Sequence, residues 1–373
     1  MNQPLRVALD ITPTVGHGYG VGRYVTDLVE GLADLVELHG VYQGHHGSPP
    51  DHIRHRCVST ARYDLLGGRI GASLRLPWVL RRLGADVYHS TSTIAIPGPG
   101  WNGQVVATVH DCYPLHPGAA VTPRHRRLFR HLLTRILAHA DHLIVPSEAT
   151  RRDVGSHGYG DGVTVMPYGV RPPSPLPRPA GAPERYLLTV SAIEPRKGFD
   201  RLASSLLADG RPPPPWIHVG GVRHDPDGGT VELMERCGCR RLGWVDQSTQ
   251  AAWLQHATVL ACPSRLEGFG YPLAEGLAAG VAVVATEGGS QGEILGPDWP
   301  PCPPEDLAQM IHHLMEDPSL RRHNVDQGLK RAEAFAVPGM VAATAAIYRN
   351  CVQRQEQINS SRIAPGSNVR ESR

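Results

Sequence analysis

The sequence predicts an α/β protein made of two doubly wound, parallel-sheet domains that face each other across a cleft. Three observations carry this. Short apolar runs rich in β-branched residues alternate with stretches of helical spacing. RPPSPLPRPAGAP at 171–183, with six prolines in thirteen residues, can neither continue a helix nor join a central strand, and so divides the chain. And 373 residues exceed one ordinary core but suit two domains of roughly 150 residues or more.

In chain order, RVALDIT (6–12) reads as the first strand and VGRYVTDLVEGLADLV (21–36) as an amphipathic helix. ADVYHSTS, QVVATVHD, HLIVPS and VTVMPYG follow as strands, apolar along their length because a parallel strand is covered on both faces. RHRRLFRHLLTRILAHA (124–140) is a second helix. After the prolines the alternation restarts with strands RYLLTVS, WIHVGG, RRLGWV, TVLACPS and VAVVAT, and with helices such as FDRLASSLLADG and STQAAWLQHA. The expected domains are 1–172 and 184–340, joined by a linker at 173–183. A helix at 341–358 is expected to pack back on the first domain, and 359–373 is too polar to be ordered.

Composition narrows the function. Hydrophobic residues make up 41% and charged residues 19%, as in a soluble globular protein. A formal charge of +2 from 37 basic and 35 acidic residues provides no global field for nucleic acid, so nucleic acid is not an expected partner. Seven scattered cysteines fit reduced cytosolic thiols, and Cys237 and Cys239 form a C-x-C without the second pair a zinc site needs. The apolar start is too short for a signal peptide and no window of ~18 apolar residues exists, which places the chain in the cytoplasm or at most on a membrane surface.

Doubly wound sheets bind ligands at the C-terminal ends of their strands, so chemistry is sought in the loops that follow strands. In TVLACPSRLEGFGYPLAEG the strand ends near Cys262 and a helix starts near Pro272. The approach through Gly268, Phe269 and Gly270 offers unpaired N–H groups and a partial positive charge to a phosphate. Glu267 and Glu275 flank that point, and ionised carboxylates accept hydrogen bonds from vicinal hydroxyls. On these residues alone, a capped helix with a solvated Glu267 is the alternative reading. A second loop, Glu194-Pro195-Arg196-Lys197-Gly198, sets two cations beyond another strand end, where they can neutralise a diphosphate.

The first domain adds Gly16, Gly18, Gly20 and Gly22 between its first strand and helix, and His110-Asp111 at the end of QVVATVHD. The glycine turn is not a P-loop, because GK[ST] is missing. Twenty histidines, among them His45-His46 and His312-His313, lack metal-ligand spacing near the cleft and receive no role. Asp225-Pro226-Asp227 is a D-x-D, but RHDPDGG reads as a solvent turn, so no metal is expected.

GVGRY, HD, PRKG and EGFGYPLAEGLAAGVAVVAT, in this order over nearly the whole chain, resemble the retaining, nucleotide-sugar-dependent glycosyltransferases of family 4, which have the two-domain GT-B fold. The resemblance implies an acceptor-side Rossmann-like N-terminal domain and a donor-side C-terminal one. It implies that Glu275 binds the donor ribose and Glu267 the hydroxyls of the transferred sugar. Gly268, Phe269 and Gly270 would hold sugar and phosphate through their backbone, and Arg196 and Lys197 the diphosphate. Gly20 would approach the diphosphate from the other domain, and His110 would lie beside the anomeric carbon with Asp111 orienting it. Tyr271 stands where Leu is usual and Gly276 where Ala is.

The expected activity is transfer of a hexosyl unit, mannosyl among the candidates, from a GDP- or UDP-sugar to a saccharide or lipid-linked acceptor, with no metal. The alternatives are a nucleotide-sugar epimerase or phosphorylase on the same fold, or a non-catalytic nucleotide-sugar-binding partner. The helix at 124–140, with Arg124, Arg126, Arg127, Arg130 and Arg135 beside Leu128, Phe129, Leu132 and Leu133, reads either as a packed helix with a solvated basic face or as a peripheral membrane contact.

Overall fold

A computed structural model describes residues 4–15, 20–43, 47–63, 69–92, 96–160 and 162–363. Gly16 and Gly18 of the glycine turn, His45-His46 and the end of the polar tail lie outside them. Twelve strands occur among the described residues. Seven belong to the first half: β1 (Arg6–Asp10), β2 (Glu37–Gln43), β3 (Ser59–Tyr63), β4 (Val87–Ser90), β5 (Gln104–Thr108), β6 (His142–Val145) and β7 (Val163–Val165). Five follow the prolines: β8 (Leu187–Val190), β9 (Trp216–Val219), β10 (Arg240–Arg241), β11 (Val259–Cys262) and β12 (Ala282–Ala285).

The first sheet has the order β3-β2-β1-β4-β5-β6-β7 and the second β10-β9-β8-β11-β12, with every pairing parallel. The order reverses between β1 and β4 in one sheet and between β8 and β11 in the other. Loops leaving these neighbouring strands run in opposite directions, which opens a crevice at each strand end.

Helices cover both faces of the first sheet. Leu76 and Leu80 of the helix Arg69–Leu83, together with Leu133 and Ile136 of the helix Pro123–His139, bury against Tyr88 and Ala107 on one face. Tyr24, Leu28 and Leu32 of the helix Val21–Leu32 bury against Leu9 and Val106 on the other. Thr122 caps the helix Pro123–His139 by accepting from His125 N at 3.2 Å, and Pro123 fits the first turn, where no N–H is needed.

The last helix, Val337–Ile363, crosses to the first sheet. Tyr348 Oη is 2.6 Å from His89 Nδ1, and a Cβ on Gly31 would fall on the Val341 side chain. Burying Tyr348 and Ala345 in the same apolar cluster as Tyr24 and Leu28 ties both ends of the chain to one domain. The helix continues five residues into the stretch expected to be unstructured from 359. Ser360 and Ser361 hydroxyls donate to the Glu356 and Ile358 carbonyls, so these polar residues satisfy themselves on the helix instead of breaking it.

Candidate active site

The two loops at the second sheet's switch point are laced together. After β8 the chain makes a single tight turn at Pro195–Lys197, and Gly198 then opens the helix Phe199–Ala208. Arg265, in the loop after β11, donates to the Pro195 carbonyl at 2.8 Å and pairs with Asp200 through two 2.6 Å contacts. Its own N–H donates to the Arg196 carbonyl at 2.7 Å. Bidentate arginine pairs of this kind fix geometry as well as charge.

This lacing brings Arg196, Lys197 and Glu267 into contact. Lys197 Nζ lies 2.7 Å from Glu267 Oε1, Arg196 3.3 Å from Oε2, and Ser264 Oγ donates to Oε1 at 2.8 Å. Burial pushes the Glu267 carboxyl up, but Lys197, Arg196 and the two hydrogen bonds to Oε1 outweigh it and hold the pKa below the usual carboxylate value. Arg196 is drawn down by burial and more strongly up by Glu267, Asp111 and Glu194, and its guanidinium also lies over the Tyr113 ring at 5.3 Å. An ionised carboxylate has about four acceptor positions, so three are taken and roughly one remains for a hydroxyl.

The loop Thr286–Gln291, which carried no signal that the sequence reading used, fixes the backbone of this site. Thr286 donates to the Ser264 carbonyl at 2.9 Å, Ser290 to the Phe269 carbonyl at 2.6 Å and Gln291 to the Cys262 carbonyl at 2.9 Å. Gly270, at φ +92°, turns the chain into the helix Tyr271–Ala278, whose N-terminus faces the cleft. Glu275 is buried one turn along it and takes a 3.5 Å contact from Gln250 Nε2.

The first domain closes the other wall. Gly20 (φ +57°) precedes the helix Val21–Leu32, and Arg23 from its first turn pairs with Glu275. Gly268 lies so close to the first domain that a Cβ there would fall on the His110 carbonyl oxygen. Glu293 accepts from the Glu148 and Ala149 N–H groups, both at 2.7 Å, and joins the domains at the N-terminus of the helix Glu148–Ser156. Together the walls enclose a cleft of about 620 Å³, lined by Gly20, Arg23, His110, Arg196, Lys197, Glu267, Gly268, Phe269, Gly270 and Glu275. Gly20, His110, Arg196, Lys197, Glu267, Gly268, Phe269, Gly270 and Glu275, the nine residues for which the resemblance implies donor contacts or catalysis, therefore line one cavity, of a size suited to a small-molecule ligand.

His110 is held differently from expectation. Its Nε2 donates to the Thr91 carbonyl at 2.7 Å, so Nδ1 is the acceptor and takes the Tyr168 hydroxyl. Asp111 does not orient the ring; its carboxylate accepts from Tyr113 N at 3.0 Å. Burial lowers the His110 pKa, and the Thr91 contact and Asp111 only partly offset this, so the ring is neutral. Tyr168 also stacks on Tyr271 and packs on Phe269, so an aromatic cluster spans the domains where the family pattern has Leu at position 271.

Asp225 of the D-x-D accepts from Thr230 N at 3.3 Å and Val231 N at 3.0 Å, capping the helix Gly229–Arg236, and is committed there. Among the described residues, no three His, Cys, Asp or Glu side chains converge as a metal site would require. No helix among them is long and apolar enough to cross a membrane. In the helix Pro123–His139, Leu132, Leu133 and Ile136 are buried, and Arg124, Arg127, Leu128 and Arg130 face solvent.

Two facing doubly wound domains with an acid-and-cation site between them define the GT-B class of glycosyltransferases. The family model described as Glycosyltransferase Family 4 matches residues 19–172, and that described as Glycosyl transferases group 1 matches residues 184–317. The chain belongs to the family 4-like glycosyltransferases of the GT-B fold. It is 28% identical over 202 residues to the MMP alpha-(1->4)-mannosyltransferase of Mycolicibacterium hassiacum, a match covering 51% of this chain and 49% of that protein. It is 25% identical over 379 residues to the O-antigen chain mannosyltransferase B of Escherichia coli, covering 88% of this chain and 96% of that one. The structure of sucrose-phosphate synthase from Thermosynechococcus elongatus superposes with a TM-score of 0.74 at 20% identity, over 94% of this chain and 100% of that one.

Proposed function

We propose that the protein is a retaining glycosyltransferase that moves a hexosyl unit, mannosyl as first candidate, from a GDP- or UDP-sugar to a saccharide or lipid-linked acceptor without a metal. The observation that carries this is the convergence of Glu267 and Glu275 on one cleft, with Arg196, Lys197 and a helix N-terminus between them. The two mannosyltransferase relatives favour mannose.

Glu275 takes the ribose hydroxyls, and Glu267 takes a sugar hydroxyl on the acceptor position its cations leave open. The backbone of Gly268, Phe269 and Gly270 carries sugar and phosphate, with Gly20 opposite. Negative charge grows on the diphosphate as the glycosidic bond breaks. Arg196 and Lys197, already fixed by Glu194 and Glu267, stabilise it without reorganising. Neutral His110 presents its ring edge near the sugar, and the acceptor enters from the same face that the diphosphate leaves.

Thermal-shift titration with GDP- and UDP-sugars tests donor binding, because a ligand of the native state raises stability with its concentration. Glu275→Ala should abolish the shift, and an unchanged shift would remove the ribose assignment. An epimerised donor without a transfer product would favour the epimerase reading, and binding without turnover across many acceptors the non-catalytic one. Membrane contact through 124–140 is supported by the outward Arg124, Arg127 and Arg130 beside Leu128, which is 40% exposed. Failure to co-sediment with anionic vesicles would exclude it.

A further inference from the structure

Resting on the reading of Glu275 as the ribose acceptor, we propose that Arg23 is a further donor-binding residue. It neutralises Glu275 across the cleft when no nucleotide is bound and passes to the donor's diphosphate when ribose takes its place.

Arg23 belongs to the first domain by chain and to the second by contact. It stands three residues after Gly20 on the helix Val21–Leu32, yet its ion pair is with Glu275 on the helix Tyr271–Ala278. Gln247, also of the second domain, accepts from Arg23 Nε at 3.1 Å with its amide oxygen turned to the guanidinium. The acids on Arg23's own helix, Asp27 and Glu30, are both engaged by Arg171, at 2.8 and 2.7 Å.

A carboxylate that receives two vicinal hydroxyls needs both oxygens. At Glu275, Oε1 faces Arg23, and Oε2 has the long 3.5 Å contact from Gln250. A ribose can therefore bind in that way only if Arg23 gives up Oε1.

The displaced guanidinium then sits in a half-closed cleft, where an unpaired charge is costly. The acids nearest the phosphate position are engaged: Glu267 holds Lys197 and Arg196, Glu194 holds Arg196 at 2.7 Å, and Asp111 accepts from Tyr113 N and faces Arg196. The anion that arrives with the ribose, one methylene away from it, is the diphosphate. A planar guanidinium suits it, and Arg23 lies on the Gly20 side, opposite Arg196 and Lys197. A single N-terminal side chain thus joins the domains in both states, first through Glu275 and then through the nucleotide. Nucleotide binding is coupled in this way to closure of the cleft.

Isothermal titration of the full chain with UDP and GDP, and with uridine and guanosine, tests the exchange. Arg23→Gln is expected to weaken binding of the preferred diphosphate about tenfold or more. The matching nucleoside should bind no more weakly than to the wild type, because its rival for Glu275 is gone. Arg23→Lys should recover much of the diphosphate affinity. Arg23→Met, which keeps the aliphatic stem, must repeat the loss if Arg23→Gln folds poorly. Diphosphate affinity equal to or tighter than wild type in the folded variants would overturn the proposal. Glu275→Ala is the separate control: if it leaves both nucleoside and diphosphate binding intact, the ribose reading fails, and not the role of Arg23 alone.

Discussion

Lys197 Nζ lies 2.7 Å from Glu267 Oε1, and both side chains are only 9% exposed. Truncating Lys197 leaves a buried carboxylate with Arg196 at 3.3 Å as its remaining cation. Lys197→Ala should lower kcat/KM by about tenfold to a hundredfold or more, because charged hydrogen bonds contribute roughly 1.5 to 3 kcal/mol. It should also move the acid limb of the pH–rate profile. In the wild type the Glu267 pKa is held below its usual value, so the carboxylate stays charged as pH falls through the ordinary range. Without Lys197 burial dominates, the pKa rises, and activity is lost at a higher pH. An acid limb at the same pH in both proteins would show that Glu267 ionisation does not govern turnover.

Gly268 tests whether closure matters. Its backbone meets the His110 carbonyl and the Asp111 side chain of the opposite domain, with no room for a methyl group. Neither domain is crowded internally by that methyl, so Gly268→Ala should hold the cleft open rather than unfold the protein. The expected result is a larger radius of gyration by small-angle scattering and activity reduced by about tenfold or more, with a displacement of about 1 Å sufficient for a far larger loss. Full activity with unchanged scattering would mean that the catalytic form does not need this contact.

How much of this was legible beforehand follows from where each signal resides. β1, β4 to β6, β8, β9, β11 and β12 are apolar runs covered on both faces, and they announced themselves. β2 and β3 did not: Glu37, His39 and Gly40 interrupt the first and Ser59 and Arg62 the second, because they form the outer part of the sheet. Glu267, Glu275, Arg196 and Lys197 were found because a loop before a helix has a local spelling. Arg23, Gln247 and Tyr168 were missed for the opposite reason. An arginine in a first helical turn means nothing until the fold sets Glu275 against it. The hydroxyl of Tyr168 acquires its role only where β7's exit meets His110.

Tyr168 therefore deserves its own measurement. Its hydroxyl satisfies His110 Nδ1, while Nε2 is tied to Thr91. Tyr168→Phe keeps the ring packing on Phe269 and Tyr271 but leaves a buried acceptor unpaired, at a cost of about 1 to 3 kcal/mol. If His110 works beside the sugar, kcat should fall about tenfold with little change in donor KM, because the histidine loses its fixed orientation but the nucleotide contacts remain. A loss of stability with unchanged kcat would make the pair purely structural.

Two other histidines contribute to the loss of stability in acid. His89 bridges Thr108 at 2.8 Å and Tyr348 of the last helix at 2.6 Å, and burial, with a smaller contribution from His110, pulls its pKa down to about 3. His218, against Thr189 at 2.9 Å, is pulled down to about 4, mainly by burial and also by Arg241. Both are neutral when folded and take up protons on unfolding below the ordinary value near 6.5. Their contribution is therefore intact above that pH and is lost as pH falls toward the folded values. Between pH 7 and pH 5 the pair should remove about 3 to 4 kcal/mol of unfolding free energy, at up to roughly 1.4 kcal/mol per pH unit for each group. Denaturant unfolding at the two pH values measures this, and His89→Gln should remove about 2 kcal/mol of the wild-type loss between them. An equal slope in that variant would mean that His89 titrates alike in the folded and unfolded chain, and that its burial between Thr108 and Tyr348 does not hold it neutral.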